Sequence, residues 1–198
     1  MTIKIENKPF PHIISENYFT DDECDLIWRE IDFLYSKFGP PETFFAAQDD
    51  DDTYITNSLG IPLDDIYRDR KISDILNISN KIFDRDLCKK FESKNEYWHV
   101  INCANKDYTK LRLYNKSSSY DSHRDHWVNA IVSTTLSVDE FLGGHLYFPN
   151  QDFEIRSEHN KTVIFPGWVE HGITEIRKGS RFAITKFIHC AEVGGENK

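Results

Sequence analysis

The 198-residue sequence has no apolar run near the roughly 18 residues needed to cross a bilayer, so a helical membrane span is not expected. Its opening, Met1 to Phe10, lacks the apolar core of a secretory signal, which points to a cytoplasmic location. Basic charge is scarce: 24 Lys and Arg stand against 33 Asp and Glu, a net charge of −9. No basic stripe with interleaved aromatics occurs, and phosphate neutralisation requires one, so nucleic acid is not an expected partner. There is no Cys-x-x-Cys pair. Cys24, Cys88, Cys103 and Cys190 stand far apart, and without a signal segment they read as reduced thiols. No repeat is present, and nothing in the sequence reports the oligomeric state. What is abundant is aromatic: 14% of residues are Phe, Trp or Tyr, enough to exclude global disorder.

Hydrophobic periodicity divides the chain into two parts. Thr20 and Glu23 have the spacing of a capping box, and Cys24, Ile27, Ile31, Leu34 and Phe38 recur at helical intervals. A helix is expected over Asp21 to Lys37, stopped by Gly39-Pro40-Pro41. Residues 42–70 read as a mobile loop containing the acidic run Asp49–Asp52, a solvated segment or a lid near a site. Lys71 to Lys94 reads as a second helix. Beyond Glu96 the text becomes short β-rich runs punctuated by turns, beginning at Tyr97–Asn102 and ending at Arg181–His189. The expected class is α+β: one domain over 1–198, with a helical part over 1–96 packed on a double-sheet jelly roll over 97–190.

His123 and Asp125 form a His-x-Asp pair. In extended chain, residues i and i+2 point the same way, so both can reach one ion. His171, after Pro166-Gly-Trp-Val-Glu170, could arrive from a facing strand. Two imidazoles and one carboxylate make the facial triad suited to non-haem Fe(II), with coordination positions left open. Arg181 lies ten residues further on and opens the run Arg181–Ile188. Strand alternation puts Arg181, Ala183, Thr185 and Phe187 on one face. An Arg there is either a rim residue in an ion pair or a buried fork for a dicarboxylate. Trp127 and Trp168 stand beside the candidate ligands as packing or substrate-facing residues. His126 flanks the motif, His159 reads as a turn residue, and His12, His99 and His189 show no ligand spacing.

These features occur in a recognisable order: Leu113-Tyr114, Tyr120-Asp-Ser-His123-Arg-Asp125, Leu142-Gly-Gly-His-Leu-Tyr-Phe148, Thr162-Val-Ile-Phe-Pro-Gly167, His171-Gly-Ile-Thr174 and Gly179-Ser-Arg181-Phe-Ala-Ile-Thr185. The order resembles the prolyl 4-hydroxylase-like branch of the Fe(II)/2-oxoglutarate dioxygenases. It covers residues 13–39 and 107–189 and leaves 42–106 uncovered. The resemblance implies a double-stranded β-helix core and three cofactors or cosubstrates: Fe(II), 2-oxoglutarate and O2. It implies that His123, Asp125 and His171 are the iron ligands and that Arg181 clamps the far carboxylate of 2-oxoglutarate. Tyr114 matches a tyrosine that reaches the cosubstrate. Thr135 stands where some relatives have a tyrosine on the same carboxylate, a departure from the pattern. Thr185 is a further candidate behind Arg181, and His145 is assigned no role. The implied activity is hydroxylation of an unactivated C–H in a prolyl or other amino-acid residue of a protein or peptide. A small-molecule hydroxylase of the same superfamily is the alternative, and a non-catalytic jelly-roll binding module a third reading.

Overall fold

The structure, a computed structural model, describes residues 1–190. Thirteen strands lie among the described residues: β1 (Thr2–Glu6), β2 (His12–Glu16), β3 (Leu59–Pro62), β4 (Lys106–Tyr114), β5 (Tyr120–His123), β6 (Ala130–Leu136), β7 (Leu142–Gly143), β8 (Leu146–Phe148), β9 (Phe153–Ile155), β10 (Lys161–Pro166), β11 (His171–Ile173), β12 (Ile176–Lys178) and β13 (Arg181–His189). The helices are α1 (Asp21–Leu34), α2 (Leu63–Ile66), α3 (Asp74–Ser79), α4 (Arg85–Glu92) and α5 (His99–Asn102). A seven-stranded antiparallel sheet in the order β1-β2-β10-β6-β13-β4-β3 faces a four-stranded sheet in the order β5-β11-β8-β9. The double-sheet core with helices on one side is the α+β jelly roll expected.

The central strands have two different faces. On β13, Phe182, Ile184 and Ile188 point outward, where α1, α3, α4 and α5 supply Ile27, Ile31, Leu76, Phe91 and Ile101. Arg181, Ala183, Thr185 and Phe187 point inward, toward the smaller sheet. β4 and β6 alternate the same way, with Leu111, Leu113 and Leu136 under the helices and Arg112, Tyr114 and Ser133 inside. Burying Leu, Ile or Phe contributes about 1.5–3 kcal/mol per side chain, so the apolar set fixes which residues are left to line the interior. Lys186 breaks the outward pattern. Its Nζ is neutralised by Asp107 Oδ2 at 2.6 Å, and Arg70 pairs with the same carboxylate.

The first helix forms as the sequence predicts. Thr20 Oγ1 accepts from the Glu23 N–H at 3.2 Å, and Glu23 Oε2 accepts from the Thr20 N–H at 2.8 Å. The α-helix ends at Leu34, and a 3-10 turn completes Tyr35–Lys37. The second expected helix, Lys71–Lys94, is broken into α3 and α4 by caps inside it. Ser73 Oγ accepts from the Leu76 N–H, and Asp84 Oδ1 accepts from the Asp86 and Leu87 N–H groups. A strand is expected at Tyr97–Asn102, but a 3-10 turn and α5 occupy it, because Asn95 Oδ1 caps the Tyr97 N–H.

Residues 1–96 are also not purely helical. β1, β2 and β3 extend both edges of the large sheet, with Ile13 opposite Ile164 and Ile61 opposite Leu111. The segment 42–70 holds β3, α2 and a 3-10 turn, and its Asp49–Asp52 run closes a turn in which Asp49 Oδ1 accepts from the Asp51 and Thr53 N–H groups. The thiols differ from expectation as well. Cys24 and Cys88 are free and buried, but Cys103 and Cys190 form a disulfide with Cα atoms 5.8 Å apart. The β4–β13 register explains the meeting: His189 lies opposite Lys106, which brings the chain just before β4 next to the end of β13.

Two outcomes follow from this packing. The buried Glu30 carboxylate of α1 accepts from Ser73 Oγ at 2.6 Å and from the Ile75 N–H at 2.8 Å, so it ties α1 to the start of α3. Glu30→Ala leaves two buried donors unmet and should cost about 2–4 kcal/mol in urea unfolding, and Ser73→Ala less. Alkylation of the unfolded, unreduced protein should label two cysteines by mass, and four after reduction.

Candidate active site

The site lies between the two sheets, and strand pairing builds it. β5 and β11 are antiparallel neighbours in which His123 and His171 are direct partners, so both imidazoles leave one face of the small sheet. Their ring centroids are 4.6 Å apart. Each Nδ1 is 2.9 Å from a backbone carbonyl two residues back, Asp121 O for His123 and Val169 O for His171. With Nδ1–H donating to that carbonyl, each Nε2 carries a lone pair aimed into the cavity, the tautomer that a metal-ligating histidine needs.

Asp125 joins them from the loop after β5. Its N–H donates to Gly167 O at 3.0 Å, and its own carbonyl accepts from the Val128 N–H at 3.0 Å. Gly167 is required here: a Cβ would stand 2.4 Å from Val128 O and 2.7 Å from Asp125 O. One donor atom from each of His123, Asp125 and His171 lies within 4.8 Å of the other two, and His171 Nε2 is 3.7 Å from Asp125 Oδ2. Outside, Arg124 Nη2 pairs with Glu170 Oε2 at 3.1 Å, bracing the two ligand-bearing segments against each other.

Burial depresses the basicity of both imidazoles. The His171 value falls to about 3, through desolvation and then through the neighbouring His123. His123 is also lowered, chiefly by burial, with Asp125 opposing. Both rings are therefore neutral at pH 7. Tyr120 stacks on His123 at 4.2 Å and Phe165 meets His171 edge-on at 4.8 Å, which fixes the ring planes.

The large sheet supplies the opposite wall. Arg181 is 1% exposed, opposite Tyr114 in the β4–β13 register, with its guanidinium 4.6 Å over the Tyr114 ring. Its Nη1 donates to Thr135 Oγ1 at 3.4 Å, while its Nε is buried without a partner. No carboxylate pairs with it among the described residues. Burial lowers its pKa to about 10, with Tyr114 opposing and Arg112 adding to the fall, so it stays cationic. Gly144, at φ +65°, makes room for it, since a Cβ there would sit 2.9 Å from Arg181 Nε. Thr185 lines the cavity four residues further along β13. All seven candidate residues therefore converge: His123, Asp125, His171, Arg181, Tyr114, Thr135 and Thr185.

Other histidines stay apart. His126 is exposed; His12, His99, His145 and His159 bond elsewhere, to Phe10 O, Glu92, the Ser157 N–H and the Ser137 N–H. The sequence reading missed Arg112, Lys110 and Tyr120. For Arg112 and Lys110 the signal is the alternation Lys110-Leu-Arg-Leu-Tyr114, which puts two basic residues on the face of β4 that carries Tyr114. The uncovered segment also reaches the site: the Ala47 N–H donates to Tyr120 Oη at 2.8 Å, and Ile55 O accepts from the Asp121 N–H.

Residues 109–189, from β4 to the end of β13, match the 2OG-Fe(II) oxygenase superfamily. That stretch is a 2OG-Fe(II) oxygenase domain, and the chain is prolyl 4-hydroxylase-like in fold. It is similar in structure to the viral collagen prolyl hydroxylase of Paramecium Bursaria Chlorella virus-1, at 15% identity and a TM-score of 0.60, over 91% of this chain and 96% of that one. A Pseudomonas putida prolyl-4-hydroxylase gives 13% identity and a TM-score of 0.57 over 91% and 93%. The Trichoplax adhaerens prolyl hydroxylase bound to a hypoxia inducible factor peptide fragment gives 13% and 0.61 over 90% and 83%. No curated protein matches the sequence. The family is one of enzymes, dioxygenases that use Fe(II), 2-oxoglutarate and O2.

The electrostatics yields a pH prediction. A histidine held below its ordinary pKa takes up its proton only on unfolding, so metal-free protein loses stability as pH falls below about 6.5. The slope should approach about 1.4 kcal/mol per pH unit for each buried imidazole. Chemical unfolding between pH 7.5 and 5 checks this, and His171→Gln should flatten the profile.

Proposed function

We propose that the protein hydroxylates an unactivated C–H of a prolyl or other amino-acid residue in a protein or peptide, consuming 2-oxoglutarate and O2 at an Fe(II) centre. The observation that carries this reading is one cavity holding a His-Asp-His donor cluster and, across it, a buried arginine without a carboxylate. His123 Nε2, Asp125 and His171 Nε2 would hold the metal, and their chemistry fits: neutral imidazoles and a carboxylate suit Fe(II) and leave positions free. Arg181 would receive the far carboxylate of 2-oxoglutarate, whose charge would compensate its burial.

When bound, Fe(II) with 2-oxoglutarate and O2 supplies the oxidising power that places a hydroxyl on the C–H carbon, with succinate and CO2 as co-products. The protein's part is binding and orientation. Arg181 offers two parallel N–H donors at a fixed depth, which sets where the keto-acid end falls. Tyr114 holds the guanidinium plane from one side. Thr135, shorter than tyrosine, accepts from one nitrogen of the fork, and Thr185 lines the same cavity further along β13. Phe165, Tyr120 and Phe187 exclude water, which strengthens every charge interaction inside.

This reading treats the 198 residues as one domain, since β1–β3 complete the sheet that carries Arg181. The net charge of −9 favours a protein, peptide or small-molecule substrate over nucleic acid. Among the described residues, no helix is long and apolar enough to cross a membrane. A cytoplasmic site of action is the reading from sequence; the Cys103–Cys190 bond weighs against so reducing a compartment.

The decisive experiment is anaerobic addition of Fe(II) and then 2-oxoglutarate, monitored by the visible charge-transfer absorption of a chelated keto acid. Wild type should develop the band, and His171→Ala should not. Bound iron without the band would favour the non-catalytic binding module. Arg181→Ala should keep metal affinity while raising the 2-oxoglutarate requirement about 30- to 100-fold, the loss of one charge-assisted pair. An unchanged requirement would overturn the clamp.

A further inference from the structure

The cavity holds more positive charge than 2-oxoglutarate accounts for. One carboxylate of the cosubstrate would face the metal and the other Arg181, which leaves Arg112. This residue is 6% exposed, on the inward face of β4, opposite Ala183. Its guanidinium lies 4.6 Å from the Tyr120 ring centroid, and Tyr120 itself stacks on His123, so Arg112 is one ring away from a candidate metal ligand. Its polar partner is the Tyr114 hydroxyl at 3.3 Å. Its Nε is buried with no hydrogen-bond partner, and no carboxylate pairs with it among the described residues. The one acid lining the cavity is Asp125, which belongs to the metal cluster.

Lys110 repeats the situation two residues earlier on the same face. It is 5% exposed, donates from Nζ to Phe45 O at 2.8 Å, and sits 5.3 Å from the Phe187 ring centroid. Burial, followed by Arg112, pulls its pKa to about 7. Phe187 forms part of the cavity wall, and Lys110 itself lines a separate groove of about 460 Å³ with Phe45 and Trp127. Trp127 stacks on Phe187 at 5.5 Å and is half exposed. The groove's acid, Asp65, is occupied by the Tyr108 hydroxyl at 2.8 Å. Neither of these two buried basic side chains has a carboxylate in direct contact; Asp125 and Asp65 act on them only at a distance, so an arriving anion would offset the cost of their burial. Lys110 lines the groove and Arg112 the cavity of the metal cluster, at alternate positions on one face of β4.

Resting on the Fe(II)/2-oxoglutarate reading, we propose that the primary substrate is an acidic amino acid whose carboxylate docks on Arg112 and Lys110. The carboxylate can belong to an Asp or Glu residue of a peptide or to the free amino acid. Either source presents the same group to the two cations, and docking there would bring a neighbouring C–H toward the metal cluster.

Calorimetric titration tests this without turnover. Protein loaded with Zn(II) and 2-oxoglutarate is titrated with N-acetyl-aspartate amide and N-acetyl-glutamate amide, and with the matching Asn and Gln compounds. Free aspartate, glutamate, asparagine and glutamine form the second arm, and the arm that binds identifies the source. At least one acid should bind tenfold or more tightly than its amide. Arg112→Gln and Lys110→Met should each erase that preference, and Arg112→Lys should retain part of it, showing that charge rather than folding is at stake. Equal binding of acids and amides overturns the proposal, as does no binding to protein that still takes up Zn(II) and 2-oxoglutarate. It is also overturned if Arg112→Gln weakens 2-oxoglutarate instead. Wild-type protein that fails to bind 2-oxoglutarate refutes the underlying reading, a separate result that removes this proposal with it.

Discussion

The antiparallel pairing of β13 with β4 and β6 is the constraint on which the site depends. One register sets Arg181 opposite Tyr114 and places Ala183 between Thr135 and Arg112. A slip of one residue would turn Arg181 toward the helices and Phe182 into the cavity. The slip is prevented from outside: Phe182, Ile184 and Ile188 are buried under α1, α3, α4 and α5, and their apolar area is lost if the strand shifts. The helical layer thus fixes the polar interior without touching it.

The second sheet works by a different rule. β5 and β11 are short and end at the candidate ligands, so their pairing alone could not define the geometry. Local bonds complete it: each histidine is aligned by the carbonyl two residues back, Asp125 is hung from Gly167, and Arg124–Glu170 braces the segments outside. The protein has arranged two neutral imidazoles and one acid against a wall of cations. Such a cavity favours anions, and the positions of Arg181, Arg112 and Lys110 give its positive charge a direction from the groove inward.

Much of this was legible in the chain. His123-x-Asp125, His171 and Arg181 at its interval carry their chemistry in residue type and order, and period-2 alternation already put Arg181, Ala183, Thr185 and Phe187 together. The capping box at Thr20 and Glu23 is a local signal, and α1 starts where it predicts. Lys71–Lys94 was harder, because its apolar stripe continues across two internal caps; Ser73 and Asp84 break the backbone where periodicity alone does not. β1, β2 and β3 were hidden because strands at the sheet edges are short and take their pairing from distant residues.

The sequence by itself determined the class of core and offered His123, Asp125, His171 and Arg181 as candidates, since residue identity and strand alternation give each side chain its chemistry and its face. Tertiary structure decided what depends on register between remote segments. It made His123 and His171 partners, turned Arg112 and Lys110 into the same interior, and joined Cys103 to Cys190 across 87 residues. The physical reason is that alternation assigns a side chain to a face, whereas only the packed sheet says what lies across from it.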